Sequence, residues 1–397
     1  MPVSRHASCR DDGSVPAMTT CVLVTNAGRG ASNNLIRSLR AGGVSLSILG
    51  CHDDQFVLKN SEAERNYLVP PPGHPRRMHA LRHILKTESV DLLIPTSDRD
   101  VSELGRARHG LRDYLFLPRS ATIAACEDKY GLSAFLQARS IPAPLTYPVT
   151  SLTRIEAIFR RLGHPSRVWC RIRTGAGAIG AIPVASPAQA ESWIAYWRDM
   201  RGVPVASFTL SEYLPGRDFG CQSLWKDGQL VLVKTYERLS YLGSGSQPAE
   251  VSSVAALAKT VFEPRVVETC AEAIRALDRR ASGIFSADLK ENAAGVPCIT
   301  EINAGRFSSA TNIFDLTGKH NMAVTYVRLA RGEPPEVVGE YDVTEDHYML
   351  RDIDTLPRMF HAEEFFDALK PAERPVLVDM LRRLISSADE RMETERS

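Results

Sequence analysis

The sequence predicts an α/β protein in which a domain built on a parallel sheet comes first and a larger part of mixed α+β structure follows. Two observations lead to this fold class. Short apolar runs alternate with helical stretches near the N-terminus, which is typical of a parallel sheet with helices on both faces. Farther along the chain, paired apolar runs flank short polar loops such as Lys226-Asp227-Gly228, which is typical of antiparallel hairpins.

Length and charge set limits on the function. The 397 residues suggest two or three domains. Lysine and arginine number 48 and aspartate and glutamate 47, so the net charge of +1 excludes a binder of nucleic acid or membrane surfaces that depends on bulk charge. No uninterrupted apolar stretch reaches the roughly 18–20 residues that span a bilayer. We therefore expect neither a nucleic-acid nor a membrane partner.

The eight cysteines are scattered along the chain and form no C-x-x-C pair. Their spacing supports neither a disulfide framework nor a zinc site. No continuous apolar signal segment precedes them. Reduced thiols and a cytoplasmic location are the predictions that follow.

The first predicted unit begins after a polar leader without periodicity, residues 1–18, which we expect to be disordered. An apolar β-rich run is followed by a glycine-bearing turn and by a helix with apolar residues on one face. A second strand, a second helix and a third strand come next. The predicted strands cover residues 21–25, 45–49 and 91–95, and the second helix covers residues 78–86.

The rest of the chain is predicted to hold antiparallel strands between helices. A helix that starts near Cys126 leads into a proline-rich linker, and amphipathic helices are expected to close the chain. Two hairpins are predicted from paired apolar runs around a turn. The predicted strands cover residues 167–173, 208–214, 222–225, 230–234, 284–290 and 298–303, and the predicted helices cover residues 152–162 and 265–279.

The first glycine-rich segment, Gly28-Arg29-Gly30, follows a strand and opens a helix, as in a dinucleotide-binding site. Asp53 comes after the second strand, where an acidic residue would bind a ribose. The third glycine of the fingerprint is replaced by Asn33, which favours a structural turn over a cofactor site. An NAD-dependent oxidoreductase that uses these glycines and Asp53 is one alternative function.

The second segment, GAGAIG, begins with Gly175 and Gly177 and matches the pattern G-x-G-x-x-G. Pro183 follows soon after and would break a helix there, so a strand, a loop and a second strand are predicted. Such a loop is a flap whose bare backbone N–H groups can close over phosphates. Arg171 and Arg173 alternate on the preceding strand, so both are predicted to project from one face toward a polyanion. A hairpin with solvated arginines is the alternative.

The predicted hairpin near residue 300 brings oxygen-bearing side chains together. With a four-residue loop, Asp288 lies directly opposite Glu301, and Asn303 shares the face of Glu301. Opposed like charges destabilise a strand pair unless a cation compensates them. Oxygen ligands completed by water and phosphates are what Mg²⁺ requires, so a metal site is predicted here. Arg306 follows at the end of the strand, in a place to hold an anionic substrate or a transferring phosphate.

The order of these motifs resembles the ATP-grasp superfamily, in particular its carbamoyl phosphate synthetase and biotin carboxylase type. The motifs are the parallel-sheet domain, a helix with Glu127-Asp128-Lys129, the arginine strand with its flap, SEYLPGRD at residues 211–218, and Glu301-Ile302-Asn303. The resemblance covers roughly residues 21–332. It implies a Rossmann-like pre-ATP-grasp domain at residues 19–120, a two-lobed ATP-grasp domain at 121–332 with its nucleotide-binding subdomain at about 145–215, and a short C-terminal helical segment at 333–397.

The resemblance also implies roles for individual residues and ATP with Mg²⁺, or Mn²⁺ in its place, as cofactors. Lys129 would reach the nucleotide phosphates, Asp218 would accept hydrogen bonds from the ribose, and Arg306 would steady an acyl phosphate. The residues of an adenine-binding hinge would be Glu212, Tyr213 and Leu214, and the metal ligands would be Asp288, Glu301 and Asn303.

Two positions depart from the pattern of the family. The strand before the flap usually reads Lys-Pro-Arg, whereas this chain has Arg171-Ile172-Arg173. Arginine keeps the charge but is planar and longer, so the phosphate contact of Arg171 must differ in geometry. The family commonly has a proline before the last arginine, where this chain has Gly305.

The leading hypothesis is an ATP-dependent carboxylate–amine ligase. A carboxylate would attack the γ-phosphate of ATP, an amine would capture the acyl phosphate, and ADP would be released. Its expected partners are a small-molecule carboxylate and amine, and an exposed edge of the first domain suggests a homodimer. Besides the oxidoreductase, a carboxylase that activates bicarbonate and a non-catalytic nucleotide-binding protein are alternatives. No residue is marked as the general base for the amine.

Overall fold

The computed structural model describes residues 19–175, 177–243, 254–352, 356 and 358–364. The predicted disordered leader at residues 1–18 and the charged C-terminal stretch from residue 365 onward lie outside the described residues. Among the described helices, none combines the length and the apolar character needed to cross a membrane. The seven cysteines in the described part of the chain are buried and not paired in disulfides.

The first domain is a four-stranded parallel sheet with the strand order β3-β2-β1-β4 and helices around it. All six residues of the first strand are buried, and the first helix buries Leu35, Ile36 and Leu39 against the sheet. The strands are β1 (Thr20–Thr25), β2 (Leu46–His52), β3 (Arg65–Leu68) and β4 (Leu92–Ile94), and the helices are α1 (Gly30–Ala41), α2 (Arg77–Thr87) and α3 (Asp98–Arg106). The predicted parallel α/β domain is confirmed.

Two helices join this domain to a small antiparallel lobe. The single helix predicted near Cys126 is in fact two, because the chain turns at Asp128 between α4 (Ser120–Glu127) and α5 (Lys129–Gln137). The small lobe has the strand order β5-β8-β6-β7. Its elements are β5 (Thr146–Pro148), α6 (Ile155–Arg161), β6 (Val168–Ile172), β7 (Ile182–Val184), α7 (Pro187–Arg201) and β8 (Phe208–Glu212).

A seven-stranded antiparallel sheet forms the centre of the molecule, in the order β13-β12-β9-β10-β11-β14-β15. Both predicted hairpins are part of it. Its strands are β9 (Asp218–Lys226), β10 (Gln229–Tyr241), β11 (Ala255–Thr260), β12 (Gly283–Glu291), β13 (Pro297–Ala304), β14 (His347–Leu350) and β15 (Arg358–His361). Its helices are α8 (Pro264–Leu277), α9 (Thr311–Thr317) and α10 (Met322–Ala330).

The first domain and the central sheet share one apolar core. Leu224, Leu232 and Ile284 of the sheet belong to the same buried cluster as Val22 and Leu35 of the first domain. Burial of such side chains contributes about 1.5–3 kcal/mol each. The two parts therefore hold each other in a fixed relation, which is needed for a site built from both.

The helical prediction for the C-terminal segment is wrong where the structure describes strands. β14 pairs with β11, and β15 pairs with β14, so both extend the central sheet. Met349 is fully buried beside Ala258 while Leu350 is half exposed, which is the alternation of a strand at the side of a sheet. A segment of this length is too short to show a helical period in its sequence. Its backbone groups are hydrogen-bonded instead by pairing with the edge of the central sheet.

Candidate functional site

A cleft of about 1130 Å³ lies between the first domain, the small lobe and the central sheet. All of the predicted site residues except Arg173 line it. They are Lys129, Arg171, Gly175, Gly177, Glu212, Tyr213, Leu214, Asp218, Asp288, Glu301, Asn303 and Arg306. More arginines and lysines than carboxylates line the cleft, so its walls suit an anionic ligand.

The glycine-rich segment is the turn between β6 and β7, which pair antiparallel, so a flap of the predicted strand–loop–strand form is present. Gly175 and Gly177 have φ values of +112° and +77°. These lie in the left-handed region that other residues avoid, which explains glycine at both positions. Lys129, at the start of α5, donates from Nζ to the Gly175 carbonyl oxygen at 2.5 Å.

Lys129 also connects the flap to the candidate metal position. Its Nζ lies 3.4 Å from Oε2 of Glu301 on β13, and its side chain is only 10% exposed. A cation at this depth, with two partners on opposite walls, has little freedom to move. It is thus placed to bind an anion between the flap and the central sheet.

Arg171 bridges the two lobes that enclose the cleft. From β6 of the small lobe, its Nη2 donates to the Thr300 carbonyl oxygen of β13 at 3.0 Å. Burial lowers the pKa of its guanidinium, while the charges of Glu301 and Asp288 act in the opposite direction. Its Nε is buried without a hydrogen-bond partner. A buried donor without a partner is costly, and an anionic ligand in the cleft would satisfy it.

Arg173 has different partners from Arg171. It lies one residue beyond the end of β6, and its N–H donates to the Ser207 carbonyl oxygen at 2.7 Å. The Arg173 guanidinium forms a two-bond ion pair with Asp128, and this bonding holds the pKa of the Asp128 carboxyl below its usual range. Arg173 therefore fixes the turn between α4 and α5.

Replacing Arg171 with methionine is expected to weaken nucleotide binding by about 10–100-fold, because a buried charge-assisted contact contributes about 1.5–3 kcal/mol. Arg171→Lys keeps the charge but not the planar group that reaches Thr300, so it should bind with intermediate affinity. Calorimetric titration with Mg²⁺ and a non-hydrolysable ATP analogue measures both. Arg160→Met, an exposed change on α6, is the control, and wild-type affinity in Arg171→Met would contradict the expectation.

The predicted hinge lies at the end of β8. The Glu212 amide donates to the Leu145 carbonyl oxygen at 2.8 Å, which fixes the backbone as it leaves the sheet. Two residues that the sequence reasoning missed line the same pocket, Trp169 and Arg167, the latter 5.7 Å from the Tyr213 ring centroid. Trp169 lies two residues before Arg171 on β6, so strand alternation would have identified it. Flat side chains of this kind suit a planar ring.

The predicted pairing of Asp288 of β12 with Glu301 of β13 is confirmed, but the predicted four-residue loop is wrong: Glu291 pairs with Pro297, and a β-bulge at Thr300 brings Asp288 opposite Glu301. No group of three or more His, Cys, Asp or Glu side chains within the described ranges is arranged to hold a metal ion. The candidate position thus offers two carboxylates and the Asn303 amide. This set fits Mg²⁺, which is usually bound by one or two carboxylates together with water and substrate phosphates.

Arg238 of β10, which no sequence motif indicated, compensates the charge of these acids. Its guanidinium is paired with Asp288 and with Asp218, the latter at 2.7 Å. Burial alone would lower the pKa of Arg238, but the negative charges of Asp288 and Asp218 raise it above its ordinary value. Tyr241 donates from Oη to the second oxygen of Asp218 at 2.5 Å. Both oxygens of Asp218 already accept protein hydrogen bonds, so a ribose hydroxyl would share one of them with Arg238 or Tyr241.

Arg306 lies where the central sheet meets the first domain. Its guanidinium pairs with both oxygens of Asp98, the first residue of α3, and its Nη2 donates to Oδ1 of Asn303 at 2.7 Å. Gly305 explains the departure from the usual proline. Its φ is +96°, and an added Cβ would lie 3.0 Å from Val101 of the first domain, so only glycine allows this approach.

The loop that follows Arg306 is fixed by Gln222, a fully buried residue of β9. Its Oε1 accepts from the Ser308 amide at 2.7 Å and from Thr311 Oγ1 at 3.0 Å. Arg351, at the end of β14, donates to the Ser309 carbonyl oxygen at 2.8 Å and lines the cleft. The C-terminal segment therefore contributes a cation to the site, which the predicted domain boundary at residue 332 did not anticipate.

The first glycine-rich segment has a structural explanation. Gly28 has a φ of +89°, and a Cβ there would lie 2.0 Å from the Val57 carbonyl oxygen. Backbone of this chain therefore occupies the space beside Gly28. Asp53 lies 3.0 Å from the His52 ring. These contacts favour the structural turn over the dinucleotide site.

The sequence matches no protein-family model, and no curated protein is significantly similar to it. Solved structures do match. An L-amino acid ligase from Bacillus licheniformis shares 15% identity with a TM-score of 0.63, covering 83% of this chain and 79% of its own. A biotin carboxylase–β,γ-ATP complex from Campylobacter jejuni shares 12% identity with a TM-score of 0.63, covering 83% and 74%. A carboxyaminoimidazole ribonucleotide synthase from Aspergillus clavatus, complexed with ATP, shares 14% identity with a TM-score of 0.61, covering 84% and 81%. The chain therefore has the fold that these three structures share.

Proposed function

We propose that this protein is an ATP-dependent carboxylate–amine ligase that forms an amide bond and releases ADP and phosphate. The observation that carries the proposal is the continuity of the cleft. Its flap, Lys129 and Arg171 form a cationic wall that adjoins the opposed carboxylates Asp288 and Glu301, and these adjoin Arg306 at the first domain. Cations that suit a polyphosphate, carboxylates that suit a metal ion and an arginine that suits an acyl phosphate therefore follow one another along the cleft.

The fold also supports the proposal. Among the solved structures with a similar fold, one is an L-amino acid ligase and two are complexes with β,γ-ATP or ATP. The cleft volume of about 1130 Å³ exceeds the roughly 300–1,000 Å³ of ordinary small-molecule sites. A cleft of this size leaves room for further substrates beside a nucleotide.

In the proposed reaction an oxygen of the substrate carboxylate attacks the γ-phosphorus of ATP, the bond to the β-phosphate oxygen breaks, and ADP leaves. The amine nitrogen then attacks the carbonyl carbon of the acyl phosphate, the carbon–oxygen bond breaks, and phosphate leaves. Mg²⁺, held by Asp288, Glu301 and Asn303, would supply neutralising charge at the phosphates when bound. Lys129 and Arg171 hold and orient the phosphates, and Arg306 faces the acyl group.

The proposal is tested by measuring ADP release from Mg-ATP with the purified protein. We expect release only when a suitable carboxylate and amine are both present, in a screen of the twenty amino acids in pairs, with the amide detected by mass spectrometry. Release that depends on bicarbonate instead would identify a carboxylase. Tight ATP binding without ADP formation for any substrate would indicate a non-catalytic nucleotide-binding protein, and stabilisation by NADH but not by Mg-ATP an oxidoreductase.

A further inference from the structure

The first domain contributes a carboxylate to the cleft at the position where the acyl group would lie. Asp98 follows β4 at the carboxyl end of the parallel sheet, which is the edge where such sheets bind ligands. Ser97 caps α3 by accepting from the Asp100 amide, so the backbone at Asp98 is fixed. Its side chain is 33% exposed toward the cleft, although it already pairs with Arg306.

The remaining cleft carboxylates have other partners. Asp218 and Asp288 share Arg238, and Glu301 lies beside Lys129. Asp100 is buried and is bonded to Thr25, Ser97 and Arg77. Glu212 is at the hinge, where it lies near Leu145, and Asp53 is beside His52. Asp98 is thus the described carboxylate that both contacts Arg306 and is open to the cleft.

We propose that Asp98 binds and orients the ammonium group of the amine substrate, an inference that depends on the proposed ligase function. Most primary amines are cations at neutral pH, since the unperturbed pKa is about 10.4 for a lysine side chain and about 7.7–8.0 for an α-amino group. The arginines and lysines that line the cleft repel such a group. At Asp98 it meets a carboxylate whose bonds to Arg306 place it beside the acyl phosphate.

The geometry also assigns a function to the first domain. Arg306 belongs to the segment after β13 and Asp98 to α3, and the Arg306 guanidinium connects Asp98 to Asn303 through adjacent hydrogen bonds. The nitrogen of an amine on Asp98 and the acyl group on Arg306 would therefore be neighbours, and the nitrogen attacks once the ammonium group has released a proton to water. Holding two reactants in this relation lowers the entropic part of the barrier to their reaction.

The test compares a charged and an uncharged nucleophile in the variant Asp98→Asn. With the amino acid pair selected by wild-type protein, the KM for the amine should rise by about 10–100-fold, because a charge-assisted hydrogen bond is lost. Hydroxylamine is uncharged at neutral pH and traps an acyl phosphate as a hydroxamate. Hydroxamate formation should stay close to the wild-type rate. Asp98→Glu should recover part of the affinity for the amine, and Asp113→Asn, an exposed change in the same domain, should leave both reactions unchanged.

The outcomes separate this proposal from the proposed function. Equal loss of amide and hydroxamate in Asp98→Asn would mean that Asp98 acts only by positioning Arg306, and unchanged amide formation would exclude any role; both overturn the proposal. If wild-type protein forms no hydroxamate with any carboxylate, the ligase function itself fails. In that case the binding of an amine at Asp98 is measured without turnover, by calorimetric titration with glycinamide, a cationic amine that has no carboxylate. Wild-type protein should bind it at least about 10-fold more tightly than Asp98→Asn, and equal binding would overturn the assignment.

Discussion

Replacing Glu301 with glutamine should lower the rate of ADP release by at least about 100-fold, comparable to the loss of one group that stabilises a developing charge in an active site. Glu301 faces Asp288 across the β12–β13 pair and lies 3.4 Å from Lys129. The amide keeps the shape of the side chain but not its charge. We therefore expect the variant to fold. It would lack one ligand of the candidate metal position, and Lys129 would lack its charged partner.

The metal assignment has a readout besides turnover. Binding of Mn²⁺ in the presence of ADP, followed by electron paramagnetic resonance, should weaken in Glu301→Gln and in Asp288→Asn. Glu156→Gln, an exposed change on α6, serves as the control and should match wild-type protein in both assays. Full turnover in Glu301→Gln would show that the metal assignment is wrong.

Replacing Lys234 with methionine should cost about 3–5 kcal/mol of folding free energy, because it leaves buried charges without their partner. Lys234 is fully buried on β10, where its Nζ lies 3.1 Å from Asp342 and 3.6 Å from Asp315. It also donates to the Phe314 carbonyl oxygen at 3.0 Å. These contacts connect the central sheet to α9 and to the segment before β14.

The loss should appear as a lower urea midpoint with an unchanged slope. Burial raises the pKa of Asp315, and the charge of Lys234 opposes this shift. Without Lys234, the pKa of Asp315 in the folded state should therefore rise further. A group with a raised folded-state pKa makes stability fall as pH rises, so the deficit of Lys234→Met should be larger at pH 8 than at pH 5. Lys86→Met, exposed on α2, should change stability by less than about 0.5 kcal/mol. A deficit independent of pH would contradict this account.

Local patterns were enough to predict the hairpin and the flap. Asp288 does pair with Glu301, but the hairpin closes at Glu291 and Pro297, and a β-bulge at Thr300, which no local pattern indicated, makes up the difference. Arg173 lies one residue beyond β6, where an ion pair with Asp128 holds its side chain. The helical prediction failed in the C-terminal segment, where an edge of the existing sheet decided the structure of a short apolar run.

The sequence by itself determined the α/β class, the order of the motifs and twelve of the residues that line the cleft, since periodicity, turn chemistry and motif spacing are properties of consecutive residues. Only the tertiary structure decided how the charges are paired. Arg238 and Asp288 are 50 residues apart and Arg306 and Asp98 are 208 apart, and Arg351 reaches the cleft from beyond the predicted domain boundary. Arg238 and Asp288 meet because β10 and β12 both flank β9, whereas Arg306 and Asp98 meet because the first domain and the central sheet share a buried core, and no local pattern encodes either arrangement.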